Sequence, residues 1–360
     1  MLDLLERLIR ARTPNPGGDE AGLAALLDDE LRAHRPDEIQ RVAVERPGGP
    51  GAYVWARWGK PRLVVNAHLD TVPANAGWTG DPWEPRRVND GVMGLGAADT
   101  KGAIAAILTA LGTAKPKDTM ILFSGDEELG GRVLRAFLDS GAASETQRAI
   151  VCEPTSCRVG TRHRGVVAMA ARLAGQGAHS SLADRLPAAL VDLARAAVGL
   201  RDYGQARKDQ GPAGFPGLCL NVAALDGGVA FNVVPKEARL TLSLRPPPGA
   251  DVTRIIDEVT AIIKAPAPAA EITVPLNNPP FATRAPDGFR DLLGELVAAP
   301  LDLAFWTEAA ALSAAGIDAV VFGPGDIALA HAADEWVPRI DLERARDLFV
   351  SAFTATHGTS

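Results

Sequence analysis

Short apolar runs along this chain repeatedly stop at an acid or a histidine, and that pattern limits the fold more than any other feature. Leu63-Val64-Val65 leads into His68-Leu69-Asp70, and Met120 to Phe123 leads into Glu127-Glu128. Ala149 to Cys152 ends on Glu153, and Ala319 to Phe322 runs through Gly323-Pro324-Gly325-Asp326 to His331. Runs of this length, bounded by turn residues, read as buried strands. Open α/β sheets bind ligands beyond the carboxyl ends of their strands, so polar groups placed there converge. The pair Glu127-Glu128 is the sharpest member. Two adjacent carboxylates at a buried strand end repel each other, and burial makes this worse. A cation resolves the conflict: one carboxylate binds it and the other stays free to move protons.

Singly, these residues have ordinary readings. A Glu-Glu pair commonly starts a solvated helix, and His68 suits a hydrogen-bonded core histidine as well as a ligand. Asp99, just before the helical run Ala103 to Leu111, suits a helix cap. Glu153 is one strand-end acid stopped by Pro154, and His331 is a lone late histidine. Together they point to a two-metal hydrolase. His68 and Asp70, two apart on an extended segment, project from the same side.

Several motifs resemble one family: Val65 to Pro73, Gly94-Leu95-Gly96 through Asp99-Thr100-Lys101-Gly102, and Gly125-Asp126-Glu127-Glu128. Glu153-Pro154-Thr155, Gly177-Ala178-His179-Ser180-Ser181 and Gly323 to Asp326 through His331 to Glu335 extend the match. It is the dizinc amidohydrolase and metallopeptidase family of acetylornithine deacetylase, succinyl-diaminopimelate desuccinylase, aminoacylase and carboxypeptidase G. Trp306-Thr307-Glu308-Ala309 is most similar to the acetylornithine/acetylcitrulline deacetylase branch.

The resemblance implies two Zn²⁺ per subunit, with Co²⁺ able to substitute. His68, Asp99 and Glu153 would hold one ion, and Asp99, Glu128 and His331 the other. Asp70 would accept the second ring proton of His68. Glu127 would take a proton from the attacking water and pass it to the departing nitrogen. His179 would stabilise the oxyanion in a neighbouring subunit, Arg245 and Asn232 would grip a substrate carboxylate, and Glu308 could meet a substrate amine. Without the resemblance, His179 is a loop histidine, Arg245 a surface charge and Glu308 a helix-start glutamate. The implied reaction is deacetylation of N²-acetyl-L-ornithine to ornithine and acetate, a step of arginine biosynthesis. N-acetyl-L-citrulline deacetylation, succinyl-diaminopimelate desuccinylation, carboxypeptidase activity and a non-catalytic, ligand-binding family member are the alternatives.

At 360 residues two domains are the default. The expectation is an α/β mixed-sheet catalytic domain in two pieces, residues 1–164 and 281–360. An α+β lid or dimerisation domain, 165–280, is inserted between them, giving a homodimer. A net charge of −7 and the lack of a Lys/Arg tract argue against nucleic acid as a partner. Sparse cysteines, Cys152, Cys157 and Cys219, suit a reducing cytoplasm. No apolar stretch reaches membrane-spanning length, and the N-terminus lacks a secretory apolar region.

Overall fold

The computed structural model describes residues 1–46 and 48–355. They fall into two compact units, one built from 1–161, 283–302 and 307 onward, the other from 162–282 and 303–306.

The first unit is organised by a mixed sheet. Its strands include β1 (Glu38–Val44), β2 (Gly51–Trp58), β3 (Leu63–His68), β4 (Thr119–Ser124), β5 (Arg148–Val151) and β6 (Asp318–Val321). Their spatial order is β1-β2-β4-β3-β5-β6. β3 is parallel to β4 and β5, β5 is parallel to β6, and β1 and β2 add on antiparallel. β3 and β4 are buried at every residue, which is why they read as unbroken apolar runs instead of alternating ones. His68 pairs across from Ser124, and Asn66 from Val151. The register therefore brings the chain out of β3, β4 and β5 at the same end of the sheet.

Helices α1 (Leu2–Arg10), α2 (Glu20–Arg32), α3 (Gly102–Leu111) and α4 (Arg132–Asp139) follow in the first part of the chain. Later come α5 (Ala309–Ala314) and α6 (Arg339–Thr354). Leu8, Leu27, Ile104, Ile107, Phe349 and Phe353 from these helices join Ile121, Ile150 and Val320 from the sheet in one core. α3 is rich in alanine and buried along nearly its whole length.

The second unit holds a four-stranded antiparallel sheet in the order 219–227, 237–245, 166–174, 271–278. Helices Ala189–Arg207 and Val252–Lys264 share a core with it through Leu193, Val259, Val167 and Leu240. The sequence reading anticipates neither Val252–Lys264 nor the strands Glu38–Val44 and Glu271–Asn278. Pro275 hides the last of these. It sits on an edge strand, where the pairing register shifts between Thr273 and Leu276, a place that tolerates a missing N–H.

Among the described residues, no helix is long and apolar enough to cross a membrane. The three cysteines are unpaired; Cys152 and Cys157 are buried and Cys219 is exposed.

Candidate metal centre

The carboxyl ends of the parallel strands carry a cluster of acids and imidazoles, with Asp99 at its middle. Asp99 Oδ1 lies 2.8 Å from His68 Nε2, and Oδ2 lies 3.3 Å from His331 Nε2. His331 Nε2 is also 2.9 Å from Glu128 Oε1. His68, Asp99 and Glu128 each bring a ligand atom within 4.8 Å of the others. One carboxylate with an imidazole on each oxygen is the disposition a bridging ligand requires. Asp99 belongs to a turn, Ala97–Lys101, ahead of α3, whose N-cap is Lys101. It therefore faces the histidines and leaves the helix uncapped.

The electrostatics describe a site short of positive charge. Burial, then the charge of Asp99, pushes the Glu153 carboxyl well above its ordinary value. Burial, then Glu153, does the same to Glu127, and burial raises Glu128. Burial would lower His68, yet the neighbouring Asp70 and Asp99 outweigh it and hold the imidazole well above its usual value. Hydrogen bonds to Asp99 and Glu128 lift His331 to about 10. Burial would raise Asp99, but its two histidines hold it below the carboxylate range. Glu153 Oε1 is buried without a hydrogen-bond partner, a costly state for a carboxylate oxygen. An orphaned oxygen, three acids that resist ionising together, and an imidazole–carboxylate donor set together fit divalent metal, zinc included.

Asp70 does more than the sequence suggests. His68 Nδ1 lies 2.9 Å from the Asp70 main-chain carbonyl and 3.6 Å from its Oδ1, so both the backbone and the carboxylate of Asp70 face the ring. The carboxylate has further partners. Oδ1 accepts from Glu127 N at 3.1 Å, while Oδ2 accepts from Glu128 N at 3.1 Å and from Asn15 Nδ2 at 2.5 Å. Asp70 thus fixes the main chain that carries both glutamates.

The remaining expected site residues are placed as follows. In the second unit His179 is exposed, with Nδ1 2.9 Å from Ser181 Oγ, and it pairs with Val233 in a short two-stranded ladder. The Asn232 carbonyl accepts Ser180 N at 3.0 Å, so the His179 and Asn232 segments lie side by side. Arg245 ends the strand Glu237–Arg245, opposite Cys219. In the first unit Glu308, 1% exposed, sits at the start of α5. Its Oε2 accepts from Asn66 Nδ2 at 2.6 Å and Ser124 Oγ at 2.7 Å, its Oε1 is buried without a partner, and burial raises its carboxyl to about 7. It ties β3 to β4 from inside the unit.

The sequence alone gives Glu335 no role. Its carboxylate accepts from Gly96 N at 2.9 Å, Ala98 N at 2.8 Å and Asp99 N at 3.0 Å. Standing four residues after His331, it straps the turn of one expected ligand to the segment of another. Lys101, beside Asp99, is also buried; its Nζ donates to the Ala11 carbonyl at 2.7 Å, and burial lowers it to about 7.

A profile of peptidase family M20/M25/M40 matches residues 64–355, the stretch that carries every residue of this cluster. The chain belongs to that family. It is accordingly a hydrolase of amide bonds. An N-acetyl-L-citrulline deacetylase from Xanthomonas campestris pv. campestris is 35% identical over 351 residues, covering 95% of this chain and 94% of the relative. An acetylornithine deacetylase from Myxococcus xanthus is 30% identical over 345 residues, covering 93% of this chain and 88% of the relative. Among solved structures, an M20 family metallo-carboxypeptidase from Sulfolobus solfataricus superposes with a TM-score of 0.77 at 16% identity, covering 98% of each chain. That likeness is one of fold.

Proposed function

We propose that this member of the M20/M25/M40 family removes the acetyl group from an N²-acetylated α-amino acid of the ornithine–citrulline kind. The observation that carries the reading is the separation of the two adjacent glutamates. Glu128 turns into the group of His68 and Asp99 and sets its Oε1 2.9 Å from His331 Nε2, while Glu127 makes no such histidine contact and is close enough to feel the charges of Glu153 and His68. His68, Asp99, Glu128, Glu153 and His331 would hold two ions, with zinc proposed and cobalt as a substitute. Bound, they would supply an activated water and polarise the amide carbonyl. Glu127, its carboxyl raised by burial and its backbone anchored on Asp70, is suited to take up a proton and return it to the amine leaving group.

Two substrates compete. The sequence expectation is N²-acetyl-L-ornithine, whose ammonium would need an anionic contact. Burial of Glu308 against Asn66 and Ser124 withdraws the acid offered for that role and favours the neutral ureido group of N-acetyl-L-citrulline. The relative at 35% identity carries that activity in its name. Arg245 and Asn232 are proposed to grip the α-carboxylate. His179 is proposed to act on the carbonyl in a second copy of a homodimer, in the cytoplasm.

The test is a panel of N-acyl amino acids with purified, zinc-loaded protein. We expect acetylcitrulline and acetylornithine to lead it. A preference for acetylcitrulline of more than about tenfold in kcat/KM, ~1.4 kcal/mol, rejects the ornithine assignment; the reverse preference rejects citrulline. No turnover of any N-acetyl amino acid rejects the deacetylase reading itself.

A further inference from the structure

Three successive main-chain amides carry the chain into the glutamate pair, and two buried carboxylates hold them. Asp126 N donates to Glu20 Oε1 at 3.2 Å, and Glu127 N and Glu128 N donate to Asp70 at 3.1 Å each. The two carboxylates come from segments far apart in sequence, and the side chain of Asn15 joins them. Its Nδ2 donates to Asp70 Oδ2 at 2.5 Å and to Glu20 Oε1 at 2.8 Å. Its Oδ1 accepts from Arg46 Nη2 at 2.9 Å, which fixes the amide the right way round. The same Nη2 donates to Glu20 Oε1 at 2.6 Å, and Arg46 Nη1 stands 3.3 Å from Asp126 Oδ1. The side chains of Arg46, Glu20 and Asp126 are at most 2% exposed.

The local chain is shaped for this arrangement. Thr13 to Asn15 lies along Leu69 to Thr71, through Asn15 N to Thr71 O at 2.8 Å, Thr71 N to Thr13 O at 3.0 Å and Thr13 Oγ1 to Leu69 O at 2.8 Å. That pairing sets Asn15 beside Asp70. Gly125 leaves room for Glu20: a Cβ there would stand 1.7 Å from Glu20 Oε2. The turn being held is a single 3₁₀ turn, Glu127–Leu129, entered through Asp126 at φ 68°. One such turn does not hold itself.

We infer that Asn15, backed by Glu20 and Arg46, is a positioning residue for the Glu127–Glu128 pair, setting both the proton carrier and one expected metal ligand through the main chain. None of the three is in the ligand group, so they act through Asp70 and the 126–128 amides. The inference rests on the proposed function only for its kinetic readout; the metal readout is independent of substrate.

The test uses Asn15→Leu, close in volume but with no donor, alongside Arg46→Met and Arg46→Lys, in the full-length protein. Zn²⁺ alone is titrated calorimetrically into each chelator-treated protein, and kcat and KM are measured at saturating Zn²⁺. We expect Asn15→Leu to weaken one of two Zn²⁺ binding steps at least tenfold and to lower kcat at least tenfold, with KM within threefold of wild type. Arg46→Met should follow it, and Arg46→Lys, which retains the charge, should recover part of both losses. A purely structural role would lower the melting temperature and leave zinc affinity and kcat unmoved. Zinc affinity and kcat within threefold of wild type in Asn15→Leu overturn the inference. Should that variant fail to fold, the same result in Arg46→Met overturns it. A wild type with no deacetylase activity would reject the function, and the zinc titration would still decide this point.

Discussion

Replacing Asp70 by asparagine exchanges one carboxylate oxygen for an NH₂ group at a heavily used acceptor near the centre. The native carboxylate takes three donors, Glu127 N, Glu128 N and Asn15 Nδ2. The new amide keeps one oxygen, so whichever way it turns, at least one donor loses its acceptor and faces another N–H. A hydrogen bond to a charged group is worth about 1.5–3 kcal/mol, and a stranded buried donor costs about 1–3 kcal/mol. About 3 kcal/mol of distortion at the turn that orients Glu127 corresponds to a fall in turnover of about 100-fold, at 1.36 kcal/mol per factor of ten. His68 Nδ1 also lies 2.9 Å from the Asp70 carbonyl, which the substitution spares, so His68, the proposed ligand, should hold its place. The assay is kcat and KM for acetyl hydrolysis at saturating zinc, with metal content and melting temperature measured on the same protein. We expect the loss in kcat, with two ions still bound at saturation. A folded Asp70→Asn protein with kcat within fivefold of wild type would show that the carboxylate does not set the geometry of the pair.

Three further outcomes follow from the same contacts. Glu308 has its carboxyl raised from 4.5 to about 7, so its favourable contribution is complete below about 4.5 and is lost as pH rises through about 7. Metal-free wild type and Glu308→Gln should therefore melt alike near pH 5, with the variant more stable at pH 8, and the substitution should affect acetylornithine and acetylcitrulline to similar extents. Glu127, Glu128 and Glu153 all resist ionisation without a counter-charge, so zinc should raise the melting temperature more at pH 8 than at pH 5.5, where protons compete for the same oxygens; an equal rise at both would contradict this. Gly125→Ala puts a methyl 1.7 Å from Glu20 Oε2 and should cost about 1–3 kcal/mol of stability along with turnover, measured by denaturant unfolding and kcat.

The sequence makes the frame of the first unit readable for a physical reason: strands buried on both faces, such as Met120 to Phe123, are continuous apolar runs, and the polar residues just past them have few places to go but the sheet's carboxyl end. His68 and Glu128 come together in this way, with Asp99 added from the turn ahead of α3 and His331 from the loop beyond β6. What sequence does not display is the inside of the support. Asn15 and Arg46 carry no local sign of it, because the bond from Asn15 to Asp70 spans 55 residues and the one from Arg46 to Asn15 spans 31. The direction of Glu308 is hidden as well: a helix-start glutamate can point outward or, as here, inward onto Asn66 and Ser124. Glu271–Asn278 is concealed by a proline that only its edge position excuses.

The division of labour between the adjacent glutamates is the centre of this account, and Glu127→Gln with elemental analysis and turnover measured on one preparation tests it most directly. Glutamine matches glutamate in shape but cannot carry the proton. The account predicts two ions per chain, as in wild type, with kcat lower by ~10²–10⁴-fold, the usual contribution of a general acid–base group. Turnover near the wild-type rate, or loss of an ion from the site, would contradict it.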